Sequence, residues 1–161
     1  MIVTGIGYDI HPFDEKRPLI LGGATIPHHC GLLGHSDADV LSHAIADAVL
    51  GAVGERDIGH HFPDTDASIR GISSLTILGR SRDLAAARGG RINNIDATIV
   101  AEAPKIGPHF GTIRQNLADT LQIPVERIGL KATTNEGLGA LGRREGMAAL
   151  AIATLELTPL D

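Results

Sequence analysis

Asp9 and His11 stand two residues apart in the stretch GIGYDIHPF. A strand would put them side by side on one face. His43 lies in the stretch DADVLSHAIADAVLGAVG, spaced by four from both Asp39 and Asp47, so a helix would carry the three as one polar stripe. Two imidazoles and a carboxylate make a ligand set for catalytic zinc, which takes three protein ligands and keeps a fourth position open. The same set suits the iron of a 2-His-1-carboxylate centre. The plainer alternative is an Asp9–His11 polar pair beside a solvated helix face. On spacing alone the two readings weigh equally.

Further stretches have the chemistry of phosphate handling. His35 and Ser36 precede the His43 helix, where backbone N–H groups attract anions. Ser36 reads equally well as a simple N-cap. KATTNEG would end a strand with Thr133, Thr134 and Glu136, two hydroxyls and a carboxylate suited to phosphate and Mg²⁺. AEAPK would end another, with a backbone able to read a nucleobase edge and Lys105 able to meet a phosphate. Each of these, alone, is also an ordinary strand exit.

The bulk composition limits what can position these residues. At 161 residues the chain suits one domain across 1–161, and 43% hydrophobic content provides a core. Aromatics are only 2%, so that core is built from Ile, Leu, Val and Ala. The net charge of −5 and the absence of basic runs argue against nucleic acid as a partner. Cys30 is the single cysteine, so no intrachain disulfide framework exists. No apolar run reaches membrane-span length and no signal-peptide pattern opens the chain, so the expectation is a soluble cytoplasmic protein. Eight histidines are many for this length.

Periodicity predicts a strand over 2–10 stopped by Pro12, then a small hairpin in PLILGGATIP around Gly22-Gly23. Val40, Leu41, Ala44, Ile45, Ala48, Val49 and Ala52 form one apolar helical stripe, with Ser36 and Asp39 as a capping box and Gly54 as the stop. GERDIGHHFPDTD reads as a loop. A second helix is expected over 73–88, ended by Gly89-Gly90, and a strand from Ile92 to Pro104. A third helix should start near Pro108 and bury Phe110, Ile113, Leu117 and Leu121. A strand over 127–134 leads into a glycine-rich loop, NEGLGALGRREG, and the apolar run 147–157, which suits a strand or a buried helix, is read as a strand because that loop suggests a return into the sheet. The order predicts an α/β fold, an α+β sandwich whose mixed sheet is covered by helices on one face. The other face calls for a cover, which another subunit would supply.

Taken together, GIGYDIHPF, HSDADVLSHAIADAVLGA, DIGHHFPDTD, AEAPKIGPH, KATTNEGLG and GRREG resemble the 2-C-methyl-D-erythritol 2,4-cyclodiphosphate synthase family, in order and spacing over nearly the whole chain. The resemblance implies a homotrimer with active sites between subunits. It also implies zinc on Asp9, His11 and His43, and Mg²⁺ or Mn²⁺ at Glu136 with the substrate diphosphate. The substrate would be a cytidine diphosphate derivative of methylerythritol 2-phosphate, closed to a cyclic diphosphate with loss of CMP. His35 and Thr134 match positions that stabilise the transition state, and Ser36 would lie beside His35 at the phosphate. Asp57, Ile58, Gly59, Phe62, Pro63, Asp64, Thr65 and Asp66 match the methylerythritol region, with Ile10 between the two strand ligands. Ala101, Glu102, Ala103, Pro104, Lys105, Ile106 and Gly107 match the cytidine pocket. Thr133, Asn135, Ala140 and Arg143 complete the matched binding positions.

The chain departs from the pattern at three of these places. Asn135 replaces an expected Thr and keeps a hydrogen-bonding side chain. Gly137 stands where a Lys is usual. Ala140 stands where some members carry a Phe that lines an axial cavity for isoprenoid diphosphates, although Arg143 remains. The length fits the single-activity form rather than a fusion to the cytidylyltransferase of the same route. Three rivals use the same residues differently: a metal-dependent phosphoesterase or iron oxygenase, a nucleotide- or isoprenoid-binding module, and a structural oligomer with surface His and Asp.

Overall fold

A computed structural model describes residues 1–158. Strand β1 (Ile2–Asp14) alternates cleanly: Gly5, Gly7, Asp9 and His11 turn to one side, Ile6, Tyr8 and Ile10 to the other. The hairpin is β2 (Leu19–Leu21) and β3 (Ala24–Ile26), turned by Gly22 and Gly23, both at positive φ as the sequence suggests. A short β4 (Gly31–Leu32) follows, then helix α1 (Val40–Ala52), a one-turn helix α2 (Ile58–His61) and α3 (Ser74–Ala87). Strand β5 (Gly90–Val100), helix α4 (Phe110–Leu121), strand β6 (Ile128–Thr133), a one-turn helix α5 (Gly139–Gly142) and strand β7 (Gly146–Leu157) complete the order.

Five strands form a mixed sheet in the order β4-β1-β7-β5-β6. All its pairings are antiparallel except β5 with β6, which is parallel. Helices α1, α3 and α4 and the hairpin lie on one face and enclose the core of Leu, Ile, Val and Ala. The opposite face leaves Ile6, Tyr8, Ile10, Leu150 and Ile152 exposed. The register pairs Ile6 with Ile152 and Tyr8 with Leu150, so these side chains form one contiguous apolar stripe.

Helix α1 packs onto β1 at unusually short range. A Cβ on Gly5 would lie 2.1 Å from the Ala48 carbonyl oxygen, and one on Gly7 would lie 1.9 Å from that of Ala44. The two glycines therefore let the helix backbone rest on the strand backbone. Their lack of side chains makes room, as the sequence suggests, and α1 itself takes the space.

Several boundaries differ from expectation. Strand β1 does not stop at Pro12. It runs on to Asp14 because Pro12 pairs with Gly146 through the sheet register and its carbonyl accepts from Leu33 N at 2.9 Å. Ser36 does not cap α1. Ala38 adopts a left-handed φ of 58°, and Asp39 caps the helix by accepting from Ser42 N at 3.1 Å. Within the expected loop 54–66, Asp57 caps α2 by accepting from His60 N at 3.0 Å. Strand β5 leaves the sheet after Val100, before Pro104. The glycine-rich loop 135–146 includes α5.

The glycine contacts carry a stability prediction. Gly7→Ala should cost at least about 3 kcal/mol, the upper end for core overpacking, because backbone rather than a side chain must yield. Gly111→Ala, in α4 with open space around its Cβ position, should instead gain about 0.5–1 kcal/mol. Urea unfolding of the two variants beside the wild type measures both. Equal midpoints would remove the close-approach argument.

Candidate metal centre and substrate clefts

Strand β1 presents Asp9 and His11 toward α1, and His43, one turn into α1, meets them. His11 Nε2 lies 2.9 Å and His43 Nδ1 3.0 Å from Asp9 Oδ2, and the two ring nitrogens are 3.3 Å apart. A tetrahedral ion with bonds of about 2.0–2.1 Å has ligand–ligand edges of roughly 3.3 Å. The observed triangle is slightly tighter than that.

The far sides of both rings determine which atoms face inward. His11 Nδ1 lies 2.7 Å from the Leu33 carbonyl oxygen, which only accepts, so Nδ1 carries the proton and Nε2 offers a lone pair. Ser74 donates its hydroxyl hydrogen to Asp37 Oδ1, leaving its Oγ to accept from His43 Nε2 at 2.9 Å. His43 Nδ1 therefore offers a lone pair as well. Ser36 Oγ also packs here, 3.0 Å from His43 Nε2 and 3.2 Å from Ser74 Oγ. Two nitrogen lone pairs and a carboxylate oxygen thus converge with no hydrogen between them unless a proton or a cation joins them. The donor set and its orientation fit a divalent metal of zinc type.

Without a metal, a proton takes the place between these groups, and the titration behaviour follows from it. Burial pushes the Asp9 carboxyl up, but hydrogen bonds and charge from His11 and His43 outweigh it and hold its pKa at about 2. Burial pushes His11 down, but its bond to Asp9 and that charge raise it, net, above 6.5. Asp39, at the start of α1, is fully buried, and burial raises its pKa despite bonds from Ser42 and Gly23 N–H. Asp47 does not join the metal triad: it accepts from Ile58 N at 2.8 Å and holds α2 against α1. The Asp39–His43–Asp47 stripe is therefore not a solvated face.

Around the triad lies a cleft of about 370 Å³ lined by His11, His43, His35, Ser36, Ile58, Gly59, Phe62, Pro63 and Asp64. His35 Nε2 is 3.6 Å from Asp64 Oδ2, with both side chains largely exposed. Thr65 and Asp66 line an adjoining hollow with His35 and Asp64. Asp57 sits at the start of α2.

The residues expected to hold cytidine and phosphate gather elsewhere. Strands β5 and β6 run parallel and end together, tied by Ala101 N donating to Thr133 O at 2.9 Å. There Ala101, Glu102, Pro104, Lys105, Ile106, Gly107, Thr133 and Thr134 line a second cleft of about 480 Å³. Asn135 N donates to Glu102 Oε1 at 2.7 Å, and Thr134 Oγ1 lies 3.4 Å from Glu136 Oε1. Glu136 holds a left-handed φ of 51°. Ala103 lies between Glu102 and Pro104 but opens toward a different cavity. The two clefts share no lining residue. Ile10 faces the open side of the sheet, while Ala140 in α5 and Arg143, which donates to Glu145 at 2.7 Å, stand outside both clefts.

Sequence reasoning missed Arg17, Asp37 and Ser74. The Arg17 guanidinium donates to the carbonyls of Gly34 and Ser36 and pins the loop that carries His35. Asp37 accepts from Ser74 N at 3.0 Å as well as from its hydroxyl. Only Ser74's place at the start of a predicted helix hinted at any of this.

The triad makes the metal-free protein pH-sensitive. Asp9 is depressed, so its contribution is complete above its ordinary 3.8 and is lost as pH falls through about 2. His11 is raised, so its contribution is complete below 6.5 and is lost as pH rises through its higher folded value. Asp9→Asn should therefore cost on the order of 1–2 kcal/mol at about pH 5.5, after allowing for screening, and clearly less at about pH 8.5. Denaturant unfolding in chelator reads the two gaps. An identical gap at both pH values would show that the pairing carries no proton linkage.

Comparison with known proteins closes the identification. The YgbB family profile matches residues 2–156. A curated 2-C-methyl-D-erythritol 2,4-cyclodiphosphate synthase of Agathobacter rectalis is 58% identical over 152 residues, covering 94% of this chain and 86% of the relative. That of a Synechocystis species is 56% identical over 151 residues, covering 94% of each. Among solved structures, the bifunctional IspDF of Campylobacter jejuni superposes with a TM-score of 0.94 at 42% identity, over 98% of this chain and 43% of that one. A Plasmodium falciparum IspF in complex with CDP gives 0.84 at 34% identity, over 98% and 97%. The chain belongs to the YgbB family, that of the 2-C-methyl-D-erythritol 2,4-cyclodiphosphate synthases.

Proposed function

We propose that this chain is a single-domain cyclase that converts 4-diphosphocytidyl-2-C-methyl-D-erythritol 2-phosphate to 2-C-methyl-D-erythritol 2,4-cyclodiphosphate and CMP. The observation that carries the reading is the Asp9–His11–His43 triangle of converging acceptors, open to a cleft, in a chain of this family. An oxygen of the substrate's 2-phosphate attacks the β-phosphorus of the diphosphate. The new P–O bond closes the ring as the bond between the β-phosphorus and the bridging oxygen breaks, and CMP departs with that oxygen. The nucleophile belongs to the substrate, so the protein needs no catalytic Ser or Cys.

Zinc on Asp9, His11 and His43 would supply Lewis-acid charge at the β-phosphate, and Mg²⁺ or Mn²⁺ at Glu136 would offset charge across the diphosphate. The chain's own groups do the rest. His35 donates to phosphate oxygens as charge builds, and Thr134 does so from the β6 end. Ser36 holds the phosphate beside His35. Asp57, Ile58, Gly59 and residues 62–66 hold the methylerythritol part. Residues 101–107, with Thr133 and Asn135, hold cytidine, and Lys105 meets a phosphate. A CDP-bound relative supports cytidine diphosphate as the ligand class. We take the cytoplasm as the site of action, because a substrate with this many phosphate charges does not cross a bilayer unaided.

Two facts favour a homotrimer with shared sites. The metal cleft and the cleft at the β5 and β6 ends share no lining residue, and a neighbouring subunit would bring one of each together. The apolar stripe of Ile6, Tyr8, Ile10, Leu150 and Ile152 gives such neighbours a surface to bury. Arg143 and Ala140 would then approach the symmetry axis.

Phosphorus NMR with the cytidyl substrate tests the reaction. CMP and a cyclic diphosphate should appear in the metal-replete sample and vanish after chelation. Asp9→Ala should lower turnover by more than about 100-fold and release one metal equivalent per chain. An open-chain product would make the protein a hydrolase at this site. Folded, metal-loaded protein without turnover would make it a binding module. Ile6→Asp should separate assembly from chemistry: sedimentation should show monomers that keep the triad's metal but lose turnover. Active monomers would refute the shared site.

A further inference from the structure

His28, His29 and Cys30 follow one another between β3 and β4, and the cyclase reaction uses none of them. One ligand atom from each lies within 4.8 Å of the others. His29 Nε2 is 3.6 Å from Cys30 Sγ. With metal bonds of about 2.3 Å to sulfur and 2.0–2.1 Å to nitrogen, a tetrahedral S···N edge is roughly 3.6 Å. The two imidazoles pack edge to face with centroids 4.3 Å apart. A buried free thiol usually acts as a small hydrophobe among alkyl groups. This one faces an imidazole nitrogen instead.

A cavity of about 520 Å³ provides the second observation. It is lined by these three residues with Phe13, Glu15, Ala103, Arg144 and Glu145. The thiol is buried, His28 is half-buried and His29 is exposed, so ligands run from the interior to the mouth and leave an entry path. Glu15 and Glu145 also line the cavity, Glu145 held by Arg143 at 2.7 Å, so the fourth position falls to water. Nothing at the Asp9 triad contributes to this cavity.

We propose that His28, His29 and Cys30 form a second metal site, of N₂S type, for a zinc-class divalent ion. A thiolate with two imidazoles selects zinc, cobalt or nickel over magnesium and calcium. On binding, the Cys30 S–H bond breaks, its proton passes to water and the sulfur's electron pair forms the bond to the ion. Both histidines bind as neutral imidazoles. The bound ion fixes the conformation of residues 28–30 between β3 and β4. The site stands independently of the cyclase reading.

Cobalt(II) titration of the chelator-stripped protein tests it. Cys30 is the single cysteine, so a sulfur-to-cobalt charge-transfer band in the near ultraviolet reports this site alone. The wild type should take up two equivalents per chain and develop the band. His29→Ala, at an exposed position, should lose the band and one equivalent yet keep turnover. Cys30→Ser should do the same, and if it fails to fold, His29→Ala decides. Asp9→Ala should lose the other equivalent and keep the band. A wild type that takes up cobalt without the band, or a band of equal strength in His29→Ala, overturns the proposal.

Discussion

The close approach of α1 to β1 is the constraint on which the rest of the structure depends. Carbonyl oxygens of Ala44 and Ala48 occupy the positions where side chains of Gly7 and Gly5 would begin. Any side chain there would push the helix outward and carry His43 away from Asp9 and His11. A core almost without aromatics serves the same end. Ala149, Ala151 and Ala153 on β7 continue the flat surface that the glycines begin on β1, and α1 lies across both strands. The candidate metal triad is thus a product of packing distance. Its ligands meet because small residues allow two backbones to touch.

The surrounding loop is held as firmly as the ligands. Residues 33–37 have no regular structure of their own, yet their backbone groups are bonded to distant elements. Leu33 N donates to Pro12 O, the carbonyls of Gly34 and Ser36 accept from Arg17, and His35 O accepts from Gly71 N at 2.9 Å. Asp37 N donates to Ile72 O at 3.1 Å. His35 is therefore an exposed side chain on a fixed backbone. This suits a group that must be accessible to a ligand and yet lose little freedom on meeting one. The relay from Asp37 through Ser74 to His43 does similar work, setting which ring nitrogen faces Asp9 and His11.

Elements long enough to show a period were legible in the sequence. The stripe from Val40 to Ala52 and the α3 run ended by Gly89 stand where their patterns put them, whereas the apolar run of β7 has no period to separate strand from buried helix and was legible only from the glycine-rich loop before it. One-turn helices were not legible, because four residues such as Ile58–His61 carry no period. Pro12 misled because its missing N–H is harmless where β1 passes from pairing with β7 to pairing with β4. Ser36 misled because a hydroxyl before an apolar run signals a cap, whereas here it packs against His43 and Asp39 takes the cap. The candidate ligands Asp9, His11 and His43 could be read from their types. Arg17, Asp37 and Ser74 could not, because each acts on a partner brought near only by the fold.

Strand β1 joins the two halves of the argument. Its odd positions give Gly5, Gly7, Asp9 and His11 to the helix side, and its even positions give Ile6, Tyr8 and Ile10 to the open apolar face. Side chains alternate with a period of two, so one register determines both. A slip of a single residue against β7 would turn Asp9 and His11 to the open face. It would also drive Tyr8 into α1, where even a single Cβ at Gly7 finds a backbone oxygen at 1.9 Å. The steric demand of α1 rejects that slip more strongly than hydrophobic burial alone. The same contact that brings Asp9, His11 and His43 together thus keeps the apolar stripe on the outside.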